Sequence, residues 1–139
     1  MPKYFIIGAS KDHVLNGVKG GFAQAVHGRK DLLTKLSKGD WIVFYSSKSE
    51  FEGKELLQQF TAIGEVTDKE PYQAKVNDDF KPFRRNVDFK KSTAAAIRPL
   101  LPNLGFIKNK KRWGFYLMSG FVAIEEQDFM VIKEAMLKQ

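Results

Sequence analysis

Gly39-Asp40-Trp41-Ile42-Val43-Phe44-Tyr45 decides how this chain folds. Gly39-Asp40 is a turn pair, and five apolar or aromatic residues follow without a break. A strand with one wet face alternates; an unbroken run predicts a strand covered on both faces. Outward from it the chain reads as short strands and short helices. Tyr4 to Ala9 is a β-rich run, and Ser10 is placed to cap a helix that Gly17, Gly20 and Gly21 end. Asp31 to Lys38 reads as a further helical turn. Gln59 to Val66 alternates, with Phe60, Ala62, Gly64 and Val66 on one face and Thr61, Ile63 and Glu65 on the other. Tyr72 to Val76 reads as a strand. So does Pro82 to Phe89, whose parity puts Arg85 on the apolar face with Phe83, Val87 and Phe89. Thr93 to Leu101 is helix-prone, but Pro99 either starts the helix or separates two turns. Trp113, Phe115 and Leu117 share a face of a further strand, and Phe121 to Ile124 is the last. Glu125-Glu126 opens a C-terminal helix with Phe129, Ile132 and Met136 inward and Lys138 at its end. This order predicts an α+β fold, a curled sheet or small barrel with helices at its edges.

The composition agrees. The chain has 139 residues, 43% of them hydrophobic and 13% aromatic, enough for a substantial core and wrong for a disordered chain. It has no cysteine, which removes disulfides, thiolate nucleophiles and Cys-ligated metals, and only two histidines. No run approaches the ~20 apolar residues of a membrane helix. The N-terminus reads as a first strand rather than a signal peptide, so a cytoplasmic protein, monomeric by default, is expected. The net charge is +7, from 23 Lys and Arg against 16 Asp and Glu. That balance favours a polyanionic partner.

No catalytic constellation stands out. Ser10 and His13 have no acid in a triad pattern, His13 and His27 lack a zinc spacing, and the glycines make no phosphate-binding fingerprint, so neither cofactor nor metal is expected. The stretch Gly20-Gly21-Phe22-Ala23-Gln24-Ala25-Val26-His27-Gly28-Arg29-Lys30 mixes glycines, an aromatic, amide, imidazole and cations. It reads either as a pocket-lining loop, with Gln24 or His27 meeting a polar ligand edge, or as a tight turn with a capping histidine. Arg84-Arg85 is the sharpest charge signal. Arg85, facing inward, needs a carboxylate such as Asp40 or Glu65, or else one or both arginines grip phosphate or base. Lys108 to Arg112 is a basic turn, solvated or attracting phosphate. Acid–base work by Ser10, His13, His27 and Lys48 is the enzymatic alternative, and a small-molecule or protein-binding barrel is the third.

Several ordered stretches together resemble the EVE-domain family. They are Tyr4 to Val14; Gly21-Phe22-x-Gln24-x-x-His27-Gly28; Gly39-Asp40-Trp41-Ile42-Val43-x-Tyr45-Ser46; Phe60 to Val66; Pro82-x-Arg84-Arg85; and Phe106-Ile107-x-Asn109-Lys110-x-x-Trp113-Gly114. The resemblance implies one EVE/PUA-like domain over residues 1–139. It implies a PUA-like pseudo-barrel, a curved mixed β-sheet with short peripheral helices, similar to the YTH fold. It further implies a nucleic-acid-binding module, DNA or RNA, that reads a modified base. Carried over by position, Ser10, His13, Phe22, Gln24, His27, Trp41, Tyr45 and Ser46 would line the base pocket, with Trp41 or Tyr45 as its stacking wall. Arg84, Arg85, Lys110 and Arg112 would hold phosphate. After Tyr45-Ser46 the family often has Pro-Lys; this chain has Ser47-Lys48-Ser49, which implies a more flexible loop at the pocket.

Overall fold

The computed structural model describes residues 1–137, and the Lys138 expected to end the last helix lies outside them. The elements in chain order are β1 (Tyr4–Gly8), α1 (Lys11–Gly20), β2 (Phe22–Ala23), α2 (Lys30–Leu33), β3 (Trp41–Lys48), β4 (Leu56–Val66), β5 (Tyr72–Gln73), β6 (Phe83–Phe89) and β7 (Ala95–Ala96). Two 3-10 helices follow, Arg98–Asn103 and Lys110–Leu117, then β8 (Phe121–Ile124) and α3 (Glu126–Leu137). The strands form a curled mixed sheet, a half-barrel in the order β2-β6-β4-β3-β1-β8, with β5 on β6 and β7 on β4. β1 and β3 run parallel; every other pairing is antiparallel. Among the described residues no helix is long and apolar enough to cross a membrane.

The unbroken apolar run of β3 has the cause the sequence indicated. Ile42 and Phe44 enter one core with Phe5, Ile7, Val14, Leu33, Leu36 and Val87, under α1 and α2. Val43 and Tyr45 enter the other with Ile6, Ile97, Leu104, Phe129 and Ile132, under α3 and the 3-10 helices. Each fully buried Ile or Phe contributes about 1.5–3 kcal/mol by leaving water. The central strands β1 and β3 are therefore the most firmly held part of the fold.

Three readings need correction and one ambiguity is resolved. In β4, Phe44 pairs with Ala62 but Tyr45 with Phe60, so Thr61 is the extra residue of a β-bulge. The bulge flips parity, and Phe60 joins Ile63 in the second core rather than Ala62 and Val66 in the first. Trp113, Phe115 and Leu117 belong to a 3-10 helix, not a strand. Pro99 resolves the ambiguity at Thr93 to Leu101: a two-residue strand precedes it, and it sits in the first turn of a 3-10 helix, where no amide hydrogen is needed. The strand expected over Tyr72 to Val76 is ordered as such only at Tyr72–Gln73.

β4 and β6 cross at Gly64. A Cβ there would lie 2.5 Å from Val87 Cγ1 and 2.8 Å from the Asp88 carbonyl oxygen, so only glycine admits β6 at this distance. Arg84 and Arg85, successive residues of β6, point to opposite sides of the sheet, as the pleat of a strand requires.

Candidate nucleic-acid interface

Parallel strands β1 and β3 end side by side, and the chain leaves β1 through Gly8-Ala9-Ser10 into α1. Beyond those ends lies a cleft of about 800 Å³. One wall is the β1–α1 connection with His13. The second is Phe22 and the turn Gln24 to His27. The third is the segment from Trp113 to Gly120, tied to the floor by Gly8 N–H donating to Gly120 O at 2.9 Å. Lys48, Phe51, Gln58, Val76 and Phe80 complete the rim.

The Gln24 turn is held in an unusual backbone conformation. Val26, His27 and Gly28 have φ of 40°, 60° and 79°. Positive φ is rare for a β-branched residue and costs on the order of 1–3 kcal/mol, tolerated only where the surroundings enforce it. Here they do. The Ala25 carbonyl accepts from Gly28 N–H and Arg29 N–H, both at 3.1 Å, and Gly28 lies so close to Pro82 that a Cβ would be 2.4 Å from its Cβ. The turn therefore presents Gln24 and His27 to the cleft in one fixed pose.

Polar and aromatic groups converge across the walls. Arg84 Nε donates to Gln24 Oε1 at 2.7 Å, and its guanidinium carbon lies 3.7 Å from the Phe22 ring centroid. His13 stacks on Phe51, with centroids 5.1 Å apart, and His27 meets the same ring edge-on at 6.0 Å. Trp113 stands edge-on to Tyr45 at 6.3 Å. Burial pushes the Tyr45 phenol up to about 12, against a smaller downward pull from Arg98, so it stays neutral. Asp12 sits just behind the rim. Burial raises its carboxyl, but hydrogen bonds from Ser10 Oγ and from the backbone amides of His13 and Phe51 outweigh this and hold it below the ordinary carboxylate range. Among the described residues, the titratable groups lining the cleft are His13, His27, Tyr45, Lys48 and Arg84; no Asp or Glu is among them.

The structure thus brings Ser10, His13, Phe22, Gln24, His27, Tyr45 and Arg84 together around one cleft. It places others elsewhere. Trp41 is at the opposite end of β3 from the cleft, roughly 13 Å before Tyr45 at about 3.3 Å per residue. Its ring packs on Phe129, 5.6 Å away, with the Lys133 and Lys90 ammonium groups over it, so it is no wall of this cleft. Ser46 is fully buried and hydrogen-bonded to Thr61 Oγ1 at 2.8 Å. Arg85 is fully buried too, and phosphate cannot reach it. Its Nε donates to Asp68 Oδ1 at 2.7 Å, Nη2 to the Asp68 carbonyl at 2.8 Å, and Nη1 to the carbonyls of Leu33 and Leu36. The inward parity was right and the partner was not: Asp40 instead accepts the backbone amides of Lys3 and Ser37. Arg84, expected on phosphate, sits inside the cleft. Lys110 and Arg112 lie on the 3-10 helix just before Trp113, outside the lining; Lys110 Nζ donates to the Leu104 carbonyl and Arg112 leans over Phe115.

Phe51 and Phe80 were missed as rim residues. Both had a readable signal, a single aromatic inside a charged turn, Glu50-Phe51-Glu52 and Asp79-Phe80-Lys81, where burial cannot explain it. Gln58 had none: its φ of 56° arises at the second register shift of β4, between Ser46 and Lys48, which no pattern in the sequence announces.

Comparison with known proteins gives three consistent results. A family model described as "EVE domain" matches residues 3–135. UPF0310 proteins are similar along nearly the whole chain. One from Mycolicibacterium gilvum is 51% identical over 127 residues, 91% of this chain and 90% of its own. One from Bacillus licheniformis is 43% identical over 129 residues, 93% and 88% of the two chains. Solved structures of a Leishmania major protein (TM-score 0.63, 13% identity, covering 96% of this chain and 94% of that one) and of Agrobacterium tumefaciens Atu2648 (TM-score 0.59, 13% identity, 97% and 94%) share the fold.

Proposed function

Since the chain belongs to the EVE-domain family, with the PUA-like fold that membership carries, we propose that it is a nucleic-acid-binding module that takes a single base, in the fullest form of the reading a modified one, into the cleft beyond β1 and β3. The observation that supports this most is the make-up of the cleft: aromatic walls, amide and imidazole groups, cations in its lining, and no carboxylate among the described lining residues. Stacking against Phe51 or Trp113 supplies about 1–3 kcal/mol per base. The base arrives unpaired, from a single strand or turned out of a duplex. Lys48 on the rim, with Lys11 and Arg112 beside the lining in sequence, meets the flanking phosphates. The role is recognition without turnover: Ser10 Oγ is already donating to Asp12 Oδ1 at 2.5 Å, His13 is stacked on Phe51 and His27 meets the same ring edge-on.

The test is competition binding with matched DNA and RNA strands, unmodified and carrying methyl- or hydroxymethylcytosine or N6-methyladenine, at two salt concentrations. Neutralising two or three phosphates of a single strand gives a log–log salt slope of about −0.7 per phosphate, so affinity falls roughly 7- to 20-fold over a fourfold rise in salt. A reader shows one preferred base at both salts. Equal binding across the panel that vanishes at high salt reduces the function to charge attraction.

A further inference from the structure

Arg84 does more in this cleft than supply charge. Its Nε is committed to Gln24 Oε1, and its plane rests on the Phe22 ring. The two contacts together hold the guanidinium in place. Among the described residues neither Nη nitrogen donates to the protein, and neither is sealed from solvent. Arg84 lines the cleft, so four N–H bonds on a held guanidinium are left for a ligand or for water. Arginine only donates, so Gln24 must turn its oxygen to Arg84 and its NH2 outward. Both groups offer donors, and no lining carboxylate supplies a strong acceptor in return.

We propose that Arg84, clamped by Phe22 and Gln24, is a specificity-determining residue that selects a base presenting two adjacent hydrogen-bond acceptors, guanine through O6 and N7 or cytosine through O2 and N3, over adenine and uracil or thymine. Two parallel N–H groups of one guanidinium match two neighbouring acceptors on one edge. Guanine and cytosine each have such an edge. Adenine sets its amino group beside both N1 and N7. Uracil and thymine place an N–H between their carbonyls. The same fork also fits two phosphate oxygens, and the experiment separates the two. The proposal rests on the base-binding reading above and narrows it.

The experiment uses the full chain and short single strands, in DNA and RNA, that differ at one central position: guanine, cytosine, adenine, uracil or thymine, 7-methylguanine, 3-methylcytosine or an abasic site. Affinities come from fluorescence anisotropy with wild type and with Arg84→Lys, checked for folding by circular dichroism. A bidentate arginine–base pair discriminates by roughly 5- to 150-fold. Wild type is expected to prefer guanine or cytosine by a factor in that range. Methylation of guanine N7 or cytosine N3 removes the preference, and Arg84→Lys, which keeps the charge, flattens the series while retaining most of the affinity for the abasic strand. Equal affinity for all bases including the abasic strand, falling alike in Arg84→Lys, assigns Arg84 to phosphate and overturns the proposal while leaving nucleic-acid binding standing. A preference for adenine, or a guanine or cytosine preference unchanged in Arg84→Lys, overturns it as well. Absence of binding to every strand at low salt overturns the base-binding reading and this proposal with it.

Discussion

Arg84 and Arg85 are neighbours on β6 with opposite jobs, and replacing each with methionine separates them. Arg85 is fully buried, with its Asp68 partner 19% exposed, and it satisfies three backbone carbonyls besides the carboxylate. Methionine keeps the length and apolar volume but strands the Asp68 charge and those carbonyls. Breaking a buried, hydrogen-bonded pair from one side costs about 3–5 kcal/mol. Against the roughly 5–15 kcal/mol that holds a domain of this size, that is about a fifth or more of the total. At about 3–4 °C per kcal/mol it lowers Tm by roughly 10–20 °C. Arg84 is half-buried and loses only its Phe22 stack and one hydrogen bond, so Arg84→Met costs about 1–2 kcal/mol. Equilibrium denaturation in urea reads both, as a shift of the midpoint at constant slope. A cycle with Asp68→Ala is expected to show coupling of at least ~1.5 kcal/mol with Arg85 and about none with Arg84. The reasoning is refuted if Arg85→Met costs less than ~1 kcal/mol, or if the two arginines prove interchangeable in stability.

Gly64→Ala forces a Cβ into Val87 and the Asp88 carbonyl and should destabilise by about 1–3 kcal/mol in calorimetry, because backbone on the far side cannot yield as a flexible side chain would. The Asp12 carboxyl, lowered from its ordinary 3.8, contributes stability that is complete above that value and lost as pH falls through its lower folded value; the protection of the Phe51 amide relative to its intrinsic exchange rate should then fall in acid, while Asp12→Asn makes that protection flat with pH. Tyr45 runs the other way: raised from 10.0 to about 12, it contributes stability present below pH 10 and lost as pH rises toward 12, and spectrophotometric titration should show one tyrosine ionising last, absent in Tyr45→Phe. Phe51→Ala is expected to leave stability within about 1 kcal/mol of wild type, since Phe51 is 46% exposed, yet to weaken base binding several-fold in the anisotropy assay.

Periodicity made the central sheet legible because burial on two faces leaves a run such as Trp41 to Tyr45, and inward parity revealed Arg85 because a strand has a period of two. The same rule misassigned Phe60, since a bulge adds one residue without any mark in the composition. Trp113 to Leu117 has strand-like alternation, but the 3-10 helix has three residues per turn, so Trp113, Tyr116 and Leu117 pack partly buried on the second core and Phe115 is exposed. The family motifs brought seven of the cleft residues together, whereas Trp41 and Ser46 shared a motif with Tyr45 and still lie apart from the cleft. A contiguous motif on a strand spans more than ten ångströms and two faces, so it never belongs whole to one site. Arg85 shares Arg84's motif for the same reason and not its role. Partners such as Asp68 were out of reach because they come from a turn 17 residues away, in a register the sequence does not print.

The central claim is that a base sits in the cleft beyond β1 and β3. Titrating isotope-labelled protein with a short single strand, and following backbone amides and the two indole N–H signals by NMR, tests it most directly. The account predicts shifts concentrated at Gly8 to His13, Phe22 to His27, Arg84 and the Trp113 indole, with the Trp41 indole unmoved. Shifts confined to the Lys108 to Arg112 turn, or led by Trp41, would contradict it.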